Sequence, residues 1–134
     1  MAVYAFGDLH LSFYKEKPMD IFGEGWANHA EKIRGCWLAT VAPQDTVVLP
    51  GDTSWAMDFE ELLPDMAFLD SLPGRKLIGK GNHDYWWNTV KKLREFTAQN
   101  GFRSIDFLHN NAYACDGLCL CGARGWNFEG AKNG

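Results

Sequence analysis

Three short apolar runs in this chain each end in a polar motif that begins with, or contains, a glycine. Ala2 to Phe6 runs into Gly7-Asp8-Leu9-His10, and Thr46 to Leu49 into Pro50-Gly51-Asp52. Lys76 to Lys80 runs into Gly81-Asn82-His83-Asp84. The segments between them carry helical periodicity. Strands alternating with helices imply right-handed crossovers and a mostly parallel sheet. In such a sheet the loops beyond the carboxyl ends of the strands gather along one edge, where ligands bind. Asp8, His10, Asp52, Asn82, His83 and Asp84 are therefore expected to meet in space.

The helices read as follows. Asn28 with Glu31 resembles a capping box, and Ala30, Ile33, Trp37 and Val41 fall on one face. Asp58 with Glu61 opens a second helix with Leu62, Met66 and Leu69 inward. Pro64 lies inside it, which predicts a kink or two short helices. A third runs from about Asn88 to Gln99 with Val90, Leu93 and Phe96 inward and Gly101 as the C′ residue. Ser104 to Leu108, Ala112 to Cys115 and Leu118 to Cys121 are expected as strands, with hairpin turns at Asn110-Asn111 and Asp116-Gly117. The whole chain, 1–134, is read as one domain, since 134 residues suffice to bury a core.

Charge and composition narrow the partners. The formal net charge is −4 and no basic tract occurs, so nucleic acid is not an expected partner. The opening segment lacks a basic region and a cleavage site, so it does not read as a signal peptide. No apolar run approaches the ~20 residues that span a bilayer. No membrane association and a cytoplasmic location are expected. Cys115, Cys119 and Cys121 lack a Cys-x-x-Cys pair and are expected to be small buried residues in strands rather than a thiolate metal site.

The three polar motifs supply hard oxygen and imidazole ligands. Asp8 and His10, two apart, would share one side of a continued strand and could chelate one cation. The Asp52 carboxylate has two oxygens and can bridge two metals about 3.5–4 Å apart. Asn82 offers a neutral oxygen, and His83 a donor to a phosphate or leaving oxygen. Asp84 could orient His83, cap the following helix or take part in catalysis.

On Asp8-Leu9-His10, Gly51-Asp52 and Gly81-Asn82-His83-Asp84 the chain resembles the calcineurin-like metallophosphoesterases, the metallo-dependent phosphatase superfamily. Gly51-Asp52-Thr53-Ser54-Trp55-Ala56-Met57 and Gly122-Ala123-Arg124-Gly125-Trp126 look like a bacterial branch of predicted phosphohydrolases. The resemblance implies an α/β fold, a partial αββα four-layer sandwich lacking its C-terminal strands. It implies two divalent metal ions, manganese, iron or zinc. Asp8 and His10 would hold the first, Asp52 would bridge, and Asn82 would hold the second. His83, with Asp84, would serve catalysis while a metal-activated hydroxide attacks a phosphomonoester or phosphodiester. Arg124 could contact substrate phosphate or be a surface or salt-bridged arginine.

The family pattern also includes a later lone histidine and a Gly-His-x-His, which this sequence does not contain. The chain is therefore expected to be the N-terminal part of a longer phosphoesterase, with its dinuclear site incomplete. The second block lacks the Asp-Arg-Gly of protein phosphatases, which argues against a phosphoprotein substrate. The alternative to an enzyme is an inactive binding or scaffold module on the same fold. Trp55, Tyr85, Trp86 and Trp87 follow the metal motifs and could wall the cleft or fill the core.

Overall fold

The computed structural model describes residues 2–14, 29–115 and 117–122. Four strands, β1 (Val3–Ala5), β2 (Thr46–Leu49), β3 (Arg75–Gly79) and β4 (Ile105–Leu108), form one sheet in the order β1-β2-β3-β4. Every pairing in it is parallel. The crossovers carry α1 (His29–Thr40), α2 (Phe59–Ser71) and α3 (Val90–Gln99). Right-handed crossovers between strands in sequential order put every helix on the same face of the sheet. The core follows that rule. Tyr4, Val47, Leu49, Ile78, Ile105 and Phe107 from alternate strand positions pack with Ile33, Trp37, Leu62, Met66, Leu69, Leu93 and Phe96 from the helices.

The opposite face carries a two-stranded antiparallel hairpin, β5 (Asn111–Cys115) and β6 (Leu118–Gly122). Leu77 and Leu108 of the sheet are buried with Cys115, and Val3, Val48, Tyr113 and Leu120 pack around them. The Tyr113 hydroxyl donates to the Phe107 carbonyl at 3.1 Å, and Arg75 stacks over the Tyr113 ring at 4.7 Å. A Cβ on Gly122 would lie 2.7 Å from the Leu108 Cβ, so only glycine lets β6 approach this closely.

Local chemistry accounts for the helix limits. Asp58 caps α2 by accepting from the Glu61 amide at 2.9 Å, and Thr89 caps α3 by accepting from Lys92 at 3.2 Å. Gly101 follows the last residue of α3 with φ of 71°, the left-handed geometry a C′ residue adopts. Asn28, expected to cap α1, lies outside the described residues, as does Asp116.

Two expectations are corrected. α2 is one uninterrupted helix despite Pro64. The proline deprives only the Glu60 carbonyl of a helical donor, and Glu60 is exposed, where water can take that acceptor. Asn110-Asn111 is not a hairpin turn, because β4 pairs with β3 and not with β5. After α3 the chain returns as a fourth parallel strand, then turns at Asn110, φ 54°, to cross to the other face.

Lys76 lies on the helix-covered side of β3 and is fully buried. Its ammonium donates to the Leu72 carbonyl and, at 2.9 Å, to Ser104 Oγ, which in turn donates to Asp70 at 2.7 Å. Burial lowers its pKa from 10.5 to about 8, against the opposing pull of Asp70. Between those two values the unfolded chain holds a proton that the folded chain has released. Stability therefore rises with pH across that window, by at most about 3 kcal/mol. Urea midpoints at pH 8 and pH 10 should show this rise in the wild type and lose it in Lys76→Met.

Candidate metal centre

Parallel pairing between neighbours sets the first three motifs side by side, and it continues past the strands. The amides of Asp8, His10 and Leu11 donate to the carbonyls of Gly51, Asp52 and Thr53 at 3.3, 3.0 and 2.9 Å. Leu9 and Leu11 are buried while Asp8 is exposed and His10 half-buried. The alternation of a strand persists, but the backbone is not a strand. Asp8, His10 and Asp52 have φ of 56°, 47° and 53°. That left-handed geometry costs a non-glycine residue roughly 1–2 kcal/mol each, and surplus strain of this kind gathers at functional sites. The expected continued strand through Asp8 and His10 is thus replaced by a strained loop, with the two side chains still converging.

Ligand atoms of Asp8, His10 and Asp52 lie within 4.8 Å of one another. Among the described residues this is the group of three or more acidic, histidine or cysteine side chains whose ligand atoms converge this closely. Two carboxylates and an imidazole suit a borderline divalent cation. Asn82 lines the same open cleft, whose walls are Gly7 and Asp8, Pro50 to Asp52, and Lys80 to Asn82. His10 stacks on Trp55 with ring centroids 5.1 Å apart, which fixes the imidazole.

His83 grips Asp52 twice. Its amide lies 2.9 Å from Asp52 Oδ1 and its Nδ1 lies 3.0 Å from Oδ2. Burial would raise the Asp52 pKa. The side-chain and backbone hydrogen bonds of His83, with the charges of His83 and His10, outweigh it and hold the carboxyl below its usual range. Asp52 is thus an anion in the cleft. The His83 side chain is 40% exposed, so the ring stays open to solvent beside its contact with Asp52. Tyr85 stands edge-on to that ring at 6.2 Å and is itself exposed.

Asp84 is 1% exposed and faces away from the cleft. It accepts from the amides of Asp52, Thr53, Ser54 and Gly81 at 2.8, 2.9, 3.4 and 2.7 Å, and from Trp86 Nε1 at 3.1 Å. Burial pushes its carboxyl up against the pull of those amides. Its side chain makes no described contact with the His83 ring, and α3 is capped by Thr89 instead. Asp84 clasps the Asp52 loop to the Gly81 loop. Trp86, expected at the cleft or in the core, is in the core. Arg124 lies outside the described residues.

A second clasp was not foreseen. Asp65 of α2 is 1% exposed, accepts from the Phe13 amide at 2.9 Å and is hydrogen-bonded by Ser54 Oγ. It ties the loop after His10 to the loop after Asp52. Its signal was present, since an acid at position 65 sits within the inward stripe of Leu62, Met66 and Leu69. The other two histidines are not in the converging group. His29 Nε2 lies 3.1 Å from the His10 carbonyl, and His109 packs on Trp87 at 5.5 Å.

Among the described residues no helix is long and apolar enough to cross a membrane. No curated protein matches the chain. The fold is similar to the crystal structure of a protein of unknown function, AQ665, from Aquifex aeolicus, with a TM-score of 0.53 and 21% identity. The match covers 89% of this chain and 58% of that one. The sequence pattern of calcineurin-like phosphoesterases matches residues 1–132, nearly the full length, and the chain belongs to that family.

Proposed function

We propose that the cleft hydrolyses phosphate esters with metal ions held by Asp8, His10, Asp52 and Asn82. The observation that carries this reading is the convergence of Asp8, His10 and Asp52 to within 4.8 Å on strained backbone. Asp52, kept anionic and central, would serve both ions, with Asn82 on the second. When bound, such ions supply Lewis-acid charge to phosphoryl oxygens and activate a water nucleophile. The protein's own contribution is geometry and proton supply. His83 in its imidazolium form would donate from Nδ1 to Asp52, which fixes the ring, and from Nε2 to a leaving oxygen, which takes that proton and leaves the ring neutral. Lys80 adds positive charge to the cleft wall. Tyr85 forms an exposed rim against which a leaving group can rest. The hairpin β5–β6, on the face opposite the helices, supports a second sheet layer and hence the four-layer sandwich of the family.

Imidazole is scarce. The sequence has four histidines, and His29 and His109 are not in the converging group. Among the described residues the second ion would have Asp52 and Asn82, a weak pair of oxygen ligands. This shortage is what favours the second reading, a module that binds metal or phosphate without turnover.

Calorimetric titration with Mn²⁺, followed by assays on an aryl phosphomonoester and an aryl phosphodiester, separates the two readings. Asp52→Asn should weaken Mn²⁺ binding by at least about tenfold. It should also remove any turnover. Turnover indifferent to Asp52→Asn would overturn the catalytic reading. Metal binding with neither ester hydrolysed would support the binding module.

A further inference from the structure

The geometry points to a second metal site, remote from the cleft, formed by Cys119 and Cys121 on β6 and suited to a thiophilic divalent cation such as zinc or cadmium. Both cysteines are exposed, contrary to their expected burial, while Cys115 is buried in the core beneath the hairpin. Two apart on a strand, they project from the same face. Their Sγ atoms lie 3.8 Å apart. Two thiolates about 2.3 Å from a tetrahedral cation are themselves separated by about 3.8 Å. The pair is therefore spaced as a ready bidentate clamp.

The surroundings leave room for an ion. Cys121 lies opposite Ala112 and Cys119 opposite Ala114, so the partner strand offers methyl groups on this face. All four residues are exposed. A disulfide suits the site less well. Alternate residues on a strand have Cα atoms about 6.6–6.8 Å apart. Disulfides usually span about 4.4–6.8 Å and most often about 5.5–6 Å, so one here would sit at the long edge of that range. The hydrogen bond and charge of Cys121 push the Cys119 thiol up, so two adjacent thiolates are disfavoured without a cation between them. Binding is an exchange. Both thiols lose their protons to solvent, two sulfur–metal bonds form, and no electrons are transferred.

The test is titration of the reduced Cys36→Ser chain with Cd²⁺ alone, followed by sulfur-to-cadmium charge-transfer absorption and by proton release in weak buffer. Cys36 is removed because it is a separate exposed thiol. The expected result is a sulfur band that saturates with one sulfur-bound cadmium per chain, beside any cadmium taken up by the cleft, and the release of two thiol protons. Cys119→Ser or Cys121→Ser should each weaken binding by about a hundredfold, the share of one thiolate in a structural site. Asp52→Asn should leave the signal intact, because oxygen and imidazole ligands give no sulfur band. Neither cysteine is in the core, and far-ultraviolet circular dichroism checks that both variants keep the fold. A band that survives either serine variant would overturn the proposal. So would its absence from the reduced chain, or recovery of the pair as a disulfide that forms without strain and excludes the metal.

Discussion

Asp84→Ala is expected to lower the unfolding free energy by about 4 kcal/mol, measured by urea denaturation. The size follows from what the carboxylate does. It accepts from four backbone amides and the Trp86 indole while almost fully buried. Alanine leaves those donors without an acceptor where water does not reach, at a cost of about 1–3 kcal/mol for each one that cannot relax. Partial collapse of the loops keeps the total below the full sum. Asp84→Asn should be damaging too, since its amide NH₂ meets donors where an oxygen was needed. A loss below about 1 kcal/mol for alanine would mean that the clasp is dispensable.

Gly81→Ala should cost about 3 kcal/mol or more and weaken Mn²⁺ binding at the same time. A Cβ built on Gly81 would lie 2.3 Å from Asp52 Oδ1 and 2.4 Å from the Asp52 amide. A Cβ on Gly51 would lie 2.6 Å from the Gly81 Cα. The two loops cross in contact at these glycines, and the added methyl strikes the central carboxylate and its backbone. Neither can give way, because Asp84 holds that amide and His83 holds that carboxylate from its other side. Denaturation and Mn²⁺ calorimetry on the same variant read the two effects. Wild-type metal affinity in a destabilised Gly81→Ala chain would show that Asp52 does not depend on this approach.

Much of this arrangement was legible in the sequence because it rests on local chemistry. Thr46 to Leu49 reads as a strand, and it is one, residue for residue. Leu62, Met66 and Leu69 read as an inward face from spacing alone, and all three are buried. Alternation of strands and helices led to a parallel sheet, and the sheet predicted that Asp8, His10 and Asp52 would converge.

The remainder depended on partners that no local pattern reveals. The left-handed backbone at Asp8, His10 and Asp52 is imposed by hydrogen bonds between separate loops. Three of the four amides around Asp84 come from about thirty residues away. The burial of Lys76 depends on acceptors that a strand pattern does not show, the Leu72 carbonyl at the end of α2 and the Ser104 hydroxyl just before β4. Whether Ile105 to Leu108 joins a hairpin or a parallel sheet turns on competition between two edges, and β3 won. Cys119 and Cys121 alternate with Leu118 and Leu120, so their exposure depended on which side of the hairpin met the sheet.

The sequential order β1-β2-β3-β4 bears on how the cleft comes into being. Each strand docks on the one synthesised immediately before it, so the sheet can grow from one end in step with translation. Contacts that close over a single crossover involve comparatively short loops, whose entropic cost of closure is modest. The ligand loops then arrive in the order in which they are needed. Asp8 and His10 wait beside β1, Asp52 joins with β2, and β3 delivers Gly81 and Asp84 to lock the arrangement. A nascent chain would bring its candidate metal ligands together from its first three strands, before β4 and the hairpin have emerged.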